Sequence, residues 1–337
     1  MQRIELAPGY HVCRVINGCW QLSTGHARRP VDRAVTLRRL HELVELGRTT
    51  FDCADIYTGV EELLGALRHE VITRTGDAEA VQVHTKCVPD RSALPRLRRE
   101  QVVALVERSL RRLRAERIDL VQLHWWDFGV AGWIDAAGWL DELRVAGKIR
   151  LVGVTNFDPA RLDELMRAGV EVESHQAQYS LLDRRPAECA WPVPLLAYGA
   201  LAGGLLSERW LGKAPPGDDP ENRSLVKYLL IVEEVGGWSR LQELLGVLER
   251  VALRRSVSIP DVATRWVLER PGVAAVIAGT SGRSHTLDPF AFELALEDLE
   301  EIDRALPPPP PGEPYELERQ PGGRHAAIMR YDLNQQE

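Results

Sequence analysis

Four residues of the kinds that move protons sit at or just after the ends of β-prone runs. Asp52 closes TTFD, Tyr57 follows it in FDCADIY, Lys86 ends VQVHTK and His124 ends IDLVQLH. An ammonium carried into an apolar interior must lose water, which is costly unless an anion meets it, and Asp52 is the nearest candidate by strand order. A tyrosine hydroxyl beside that ammonium has its phenolate stabilised, so its pKa falls and it donates a proton more readily near neutral pH. A neighbouring histidine can orient a carbonyl oxygen by hydrogen bonding. Together the four make an acid site for protonating an oxyanion as hydride arrives at carbon. Further polar residues fall at equivalent places: Thr155 and Asn156 end IRLVGVTN, Gln176 lies in VEVESHQAQ, Tyr198 closes VPLLAY, and Gly279, Thr280 and Ser281 follow GVAAVIA. Functional groups at the same end of seven successive strands are hard to explain by stability alone.

The elements that carry them alternate regularly. Strands are expected at CRVINGCW, TTFDCA, VQVHTKC, IDLVQLHWW, IRLVGVT, VEVESHQAQ, VPLLAYGA and GVAAVIAG. Between them lie runs with apolar residues at helical spacing, among them PVDRAVTLRRLHELVELG, VEELLGALRHEV, REQVVALVERSLRRLRAE, residues 131–147 and PARLDELMRAG. Helices are expected near 238–254 and 260–269 and over part of 283–305, with a short one at 186–190. Gly169 after PARLDELMRA marks a helix end, and Pro159 suits its first turn. An open doubly wound sheet and a closed barrel both fit such alternation. Neither G-x-G-x-x-G nor a Walker A loop is present, and eight repeats over about 290 residues fit a (β/α)₈ TIM barrel better. We therefore expect one α/β barrel over residues 1–306, followed by a Pro-rich linker and C-terminal tail over 307–337 that begins PPPPPG. Tyr315, Leu317, Ile328, Met329 and Tyr331 give that tail apolar side chains with which to pack back on the barrel, the alternative being a partly disordered terminus. A Gly/Pro-rich connection spans about 199–223, and Arg223 and Lys227 near its end are weak candidates for phosphate contacts. In a barrel of this kind the site lies at the C-terminal ends of the strands, where the polar residues fall.

The whole chain narrows the classes. With 337 residues it can bury a large core without disulfides or structural metals. The net charge of -7 argues against a nucleic-acid partner. The absence of a run of about 18 apolar residues argues against a membrane helix. No secretory signal is apparent at the N-terminus. Five cysteines, at 13, 19, 53, 87 and 189, form no C-x-x-C pair and no zinc-like spacing. They read as reduced thiols of a cytoplasmic protein, and no metal is expected.

From about residue 10 to 305 the chain resembles the aldo-keto reductase superfamily. The residues that carry the likeness are FDCADIY at 51–57, VHTK at 83–86, DLVQLHW at 119–125, GKIRLVGVTNF at 147–157, QAQYSLLDR at 176–184 and AYGALAGGLL at 197–206. The resemblance implies a (β/α)₈ barrel that binds NADP(H) or NAD(H) without a Rossmann domain. It implies Tyr57 as general acid in reduction or base in oxidation, with Lys86 and Asp52 tuning it and His124 positioning the carbonyl. Thr155, Asn156 and Gln176 look like the nicotinamide carboxamide ligands, and Tyr198 like the aromatic platform under the ring. Gly18, Cys19 and Trp20 match the first-strand loop, and Trp20, Trp125 and Trp126 would wall the substrate pocket. Trp133 and Trp139 are expected in the core, and His84, on the same face of its strand as Lys86, in barrel packing.

Two segments depart from the family pattern. The chain reads YGAL where tyrosine-serine-proline-leucine is frequent, so Gly199, Leu201 and Gly203 would meet a pyrophosphate through backbone. After the eighth strand, GTSGRSHTLDPF replaces the usual basic residue and Glu-Asn pair. Gly279, Thr280 and Ser281 border the cofactor in this likeness, Arg283 could meet a 2′-phosphate, Asp288 stands near the acidic position and Pro289 replaces the Asn. Arg283 favours NADP(H), with NAD(H) the alternative. The reading implied is an NAD(P)H-dependent oxidoreductase interconverting a small-molecule aldehyde or ketone and an alcohol. The aromatic rim suggests an apolar or ring-shaped carbonyl compound. A sugar or lactol dehydrogenase would use the same site in reverse. A cofactor-binding regulatory subunit with little turnover is another class, for which the tail would be a docking element. A lyase using Lys86 as a Schiff-base nucleophile is a further one, opposed by the Asp52 pairing and by Asn156 and Gln176.

Overall fold

The runs rich in Val, Ile and Leu pair in parallel and close on themselves, because helices cover one face and side chains fill the other. The computed structural model describes residues 2–25, 32–188, 191–217, 223–280 and 287–334. Eight strands form the barrel: β3 (Val15–Gly18), β4 (Thr50–Asp52), β5 (Gln82–Cys87), β6 (Ile118–His124), β7 (Ile149–Thr155), β8 (His175–Gln178), β9 (Leu195–Tyr198) and β10 (Val273–Gly279). Their order around the barrel is β10-β3-β4-β5-β6-β7-β8-β9, and β10 closes it by pairing with β9 as well as β3. The (β/α)₈ barrel expected from the sequence is the fold observed.

Outside it run α1 (Arg33–Glu45), α2 (Val60–Thr75), α3 (Arg99–Leu113), α4 (Trp133–Val145), α5 (Pro159–Arg167), α6 (Arg223–Glu234), α7 (Gly237–Arg255), α8 (Ile259–Leu268) and α9 (Leu296–Ala305). Side chains set the helix starts: Asp158 accepts from Arg161 N at 2.9 Å before α5, and Ser258 and Asp261 form a reciprocal cap on α8. No helix among the described residues is long and apolar enough to cross a membrane.

Several elements differ from the sequence expectation. The turn-rich lead around Pro8 and Gly9 is a hairpin, β1 (Arg3–Ala7) against β2 (Tyr10–Cys13), paired antiparallel. It stoppers the N-terminal end of the barrel: Leu6, Tyr10 and Val12 join Ile16, Leu120, Leu151 and Leu196 in one cluster, and the Tyr10 hydroxyl lies 3.1 Å from His84 Nε2. His84 is thereby a packing residue. Strand β8 is four residues long and not nine: ahead of it Glu173 N still donates to Val152 O at 2.9 Å, but Val152 N donates to the Glu173 carboxylate at 3.1 Å and not to a backbone carbonyl. The helix α6, in the stretch beyond the Gly/Pro-rich connection, had no strong sequence signal at its start. The expected helix at 186–190 is a single 3-10 turn at Arg185–Glu188.

The tail packs back. Asp90 Oδ1 accepts from Leu333 N at 2.8 Å and Asn334 N at 2.9 Å, Arg91 N donates to Tyr331 O at 3.1 Å, and Gln178 N donates to the Tyr315 hydroxyl at 3.4 Å. The segment therefore straps the loops after β5, β6 and β8, the end of the barrel where the polar strand ends lie.

Candidate active site

Barrel register determines which side chains meet. Asp52 pairs with His84 in the β4–β5 ladder and Lys86 with Gln122 in the β5–β6 ladder, so carboxylate and ammonium converge from adjacent strands. Lys86 Nζ donates to Asp52 Oδ2 at 2.8 Å, to Asp52 Oδ1 at 3.0 Å and to the Cys53 carbonyl at 2.8 Å. All three ammonium hydrogens are thus engaged. Burial opposes the charge on Lys86, but Asp52 and Tyr57 outweigh it, and the lysine is held above its ordinary pKa.

Tyr57 lies beyond β4, with Lys86 Nζ 5.6 Å from its ring centroid and Trp20 edge-on at 5.0 Å. Burial pushes its pKa up to about 12, with Lys86 pulling it down and Asp52 pushing it up. The lowering expected from the lysine is there, yet burial and the carboxylate prevail. Desolvation of the buried phenol is the largest effect, and Asp52 adds to it by opposing the Lys86 field.

His124 ends β6 with 7% of its surface exposed. Its Nε2 lies 3.5 Å from Asn156 Nδ2, and Trp126 packs edge-on against the ring at 4.2 Å. Its Nδ1 and the Trp126 indole nitrogen are buried without hydrogen-bond partners among the described residues. Burial, then Arg319, Lys86 and Lys227, drive its pKa down to about 3. The imidazole is neutral at physiological pH and acts as a hydrogen-bonding group and not as a cation.

Asn156 adopts φ of +60°, and its Oδ1 accepts from the Tyr198 hydroxyl at 3.0 Å. It bridges the ends of β6 and β9. The Gln176 amide donates to Asp52 Oδ1 at 2.7 Å and to Gln122 Oε1 at 3.1 Å, below the mouth. Thr155 is buried, its hydroxyl donating to Gln176 O at 3.2 Å. Gly18 O accepts from Thr280 N at 2.9 Å and Thr280 Oγ1 at 2.8 Å, stapling the end of β3 to the segment after β10. Cys19 is fully buried, and burial pushes its thiol up to about 12. Gly279 packs against the Gln21 side chain.

Gly199 (φ +75°) and Gly203 (φ +65°) flank half-exposed Leu201 in the turn after β9. A Cβ on Gly203 would lie 2.8 Å from the Tyr228 ring, and one on Gly199 would overlap the Tyr228 hydroxyl. These glycines let α6 dock, a packing reason that stands beside any contact with phosphate. Half-exposed Asn156, Tyr198, Gly199, Leu201 and Gly203 nonetheless border one side of the mouth and offer polar groups and backbone that suit a dinucleotide.

The barrel thus brings Asp52, Tyr57, Lys86, His124, Trp20, Trp126, Asn156, Gln176 and Tyr198 together. Trp125 is a correction. It is 0% exposed, its indole N–H donating to Asp127 O at 2.9 Å and Val130 O at 3.1 Å, so it packs under the loop before α4 and does not wall the pocket. Ser281 and Arg283 lie outside the described residues, and Asp288 is exposed. Lys227 pairs with Glu318 of the tail at 2.5 Å and sits 5.4 Å from the Tyr198 ring. Among the described residues no group of His, Cys, Asp and Glu is placed to hold a metal ion.

Sequence reasoning missed Gln122, Glu318 and Arg319. Period-two alternation back from His124 would have found Gln122 on the same inward face. Nothing local in the tail signals that Glu318 and Arg319 return to the mouth.

The comparisons with known proteins agree with this geometry. Residues 14–307 match the family described as the Aldo/keto reductase family. The chain is similar to flagellar radial spoke protein 5 of Chlamydomonas reinhardtii, 32% identical over 257 residues, covering 64% of this chain and 49% of that protein. It thus spans about half the length of that relative. It is similar to aldo-keto reductase YhdN of Bacillus subtilis, 27% identical over 321 residues, covering 88% of this chain and 91% of that one. A glycerol dehydrogenase of Gluconobacter oxydans superposes with a TM-score of 0.75 at 26% identity, covering 93% of this chain and 98% of that one.

Proposed function

The chain belongs to the aldo/keto reductase family, and from that premise we propose that it interconverts a carbonyl compound and an alcohol with a nicotinamide cofactor, NADP(H) in preference to NAD(H). The observation that carries the reading is the convergence of Asp52, Lys86, Tyr57 and neutral His124 at neighbouring strand ends of the barrel. Asn156 and Tyr198 would hold the nicotinamide, with Gly18, Cys19, Thr155 and Gln176 around it. The turn at Gly199, Leu201 and Gly203 and the segment at Gly279, Thr280, Ser281 and Arg283 would carry the phosphate and adenosine end.

The bound cofactor supplies or accepts hydride. The chain's own residues handle the rest. His124, neutral and packed by Trp126, hydrogen-bonds the carbonyl oxygen and fixes its orientation. Tyr57 gives that oxygen its proton in reduction and takes it back in oxidation. Lys86 stabilises the phenolate that Tyr57 becomes, and Asp52 keeps Lys86 charged and in place. Trp20 and Trp126 exclude water from the reacting carbon. A Schiff base on Lys86 is disfavoured, since its nitrogen is protonated and its three hydrogens are bound.

The test is a fluorescence titration of the protein with NADPH and NADH, followed by a carbonyl screen. We expect saturable NADPH binding and carbonyl-dependent NADPH consumption. Tyr57→Phe should retain binding and lose about 10²- to 10⁴-fold in kcat. Failure to bind both nucleotides overturns the reading, whereas nucleotide binding without turnover of any carbonyl compound favours the cofactor-binding regulatory role.

A further inference from the structure

Alternation along β8 turns Gln176 into the barrel, where its amide meets Asp52, and turns His175 outward. On the neighbouring strand the ladder to β8 ends at Asn156. Val154 N donates to Ser174 O at 3.0 Å and Asn156 N to Gln176 O at 3.1 Å. Asn156 then turns left-handed, with φ of +60°, and carries the next amide, that of Phe157, out of the ladder. Phe157 is fully buried, so its N–H needs an acceptor from within the protein. His175 supplies it: its Nε2 accepts from Phe157 N at 3.2 Å.

The imidazole is itself held in place. The His175 backbone N donates to Pro194 O at 3.0 Å, and the Trp191 ring packs against the imidazole at 4.4 Å. The Trp191 indole N–H in turn donates to Pro186 O at 2.8 Å. Burial drives the His175 pKa down to about 3, against the pull of Asp158. The ring is neutral, and a neutral ring that accepts at Nε2 carries its proton on Nδ1. On the other side of the turn the Asn156 amide is aimed at the mouth. Its Oδ1 accepts from the Tyr198 hydroxyl at 3.0 Å, and its Nδ2 lies 3.5 Å from His124 Nε2. The Phe157 ring packs edge-on to Phe128 at 4.9 Å.

We propose that His175 is a positioning residue for the nicotinamide: by accepting the Phe157 amide hydrogen it holds Asn156 in its left-handed turn and so aims the Asn156 amide at the ring's carboxamide. The inference rests on the reductase reading, in which Asn156 holds the nicotinamide, and adds the group that sets Asn156. Asparagine enters the left-handed region more readily than most residues, but the region is sparsely populated and persists only where surrounding contacts enforce it. Remove the acceptor and a buried N–H is left unpaired, which is costly. Rotating the 156–157 peptide toward another acceptor relieves that cost and takes Asn156 out of the small allowed region, so its amide leaves the mouth. One strand thus serves the site from both faces, Gln176 from within the barrel and His175 from outside it.

The experiment measures dissociation constants for NADPH and for 2′-phospho-ADP-ribose, the same molecule without its nicotinamide, in the full chain. The variants are His175→Leu, which has no acceptor, and His175→Gln, whose Oε1 can stand where Nε2 does. His175→Leu should weaken NADPH about 10- to 100-fold, the range of a lost buried hydrogen bond, and leave 2′-phospho-ADP-ribose unchanged. His175→Gln should recover most of the NADPH affinity. In an Asn156→Ala background His175→Leu should cost nothing further, since it acts through Asn156. Equal weakening of both ligands, unchanged NADPH binding in His175→Leu, or a loss that His175→Gln does not recover overturns the proposal. Should His175→Leu fail to fold, His175→Asn, polar but too short to reach Phe157 N, takes its place under the same criteria. A wild type that binds no NADPH condemns the reductase reading instead. Hydrogen exchange of the Phe157 amide then judges the acceptor alone: fast in His175→Leu and slow in wild type and His175→Gln supports it, and equal rates in all three overturn it.

Discussion

The Gln176 amide nitrogen lies 2.7 Å from Asp52 Oδ1, on the carboxylate that also holds Lys86. One buried carboxylate thus anchors an ammonium and an amide reaching in from opposite sides of the barrel. Gln122 adds a further donor at 3.3 Å. The Lys86 charge is tolerated inside the barrel only because Asp52 and the Cys53 carbonyl surround it.

Asp52→Asn should therefore strand a buried ammonium. We expect a loss of about 3–5 kcal/mol of stability, read from urea unfolding, and a collapse of turnover. Asp52→Asn with Lys86→Met removes both charges. It should regain much of the stability and none of the activity, a non-additivity that independent sites would not show.

The buried histidines set the acid limit. Burial lowers His84 to about 4 and His124 and His175 to about 3. Each binds fewer protons folded than unfolded, so each contributes stability that is complete above about pH 6.5 and is lost as pH falls toward the folded value. At pH 5 the cost is up to about 2 kcal/mol per group. Urea midpoints measured from pH 8 to pH 5 should fall, and His175→Asn should flatten the slope by about a third. The reductase rate itself should show no limb near pH 6.5, since His124 stays neutral throughout.

Asp55 acts in the opposite sense. Its carboxyl is fully buried, with Val88 N at 3.2 Å and Arg108 at 3.7 Å, and burial pushes its pKa up to about 8. Folding favours its protonated form, so its contribution is complete below about pH 3.8 and is lost as pH rises to about 8. Asp55→Asn should raise stability at pH 8 relative to pH 5, compared with wild type, in the same unfolding series.

Local signals made the barrel and its chemistry legible where strand ends carry them. Asp52, Lys86 and His124 each close a β-prone run, and alternation places them inward. Legibility failed where a residue's place depends on distant partners. Trp125 and Trp126 are neighbours of one type, and only packing against Gly132 and the Val130 carbonyl sends the first into the core and the second to His124. Arg319 sits in a tail that local pattern could equally leave disordered, and it returns to the mouth through contacts some 200 residues away in sequence.

Gly199 ties the helix α6 to the site. Its φ of +75° is strained for any residue with a Cβ, and the added carbon would overlap the Tyr228 hydroxyl. Gly199→Ala should cost about 1–3 kcal/mol and weaken nucleotide binding, since the turn beside Tyr198 must shift to relieve both faults. Tyr228→Phe removes the overlapping oxygen and leaves the ring, whose nearest carbon would stand 3.0 Å from the new methyl. The double variant should therefore recover part of the stability and not all of it. Full recovery would mean that the clash alone opposes a side chain at this turn. No recovery would mean that the backbone strain does.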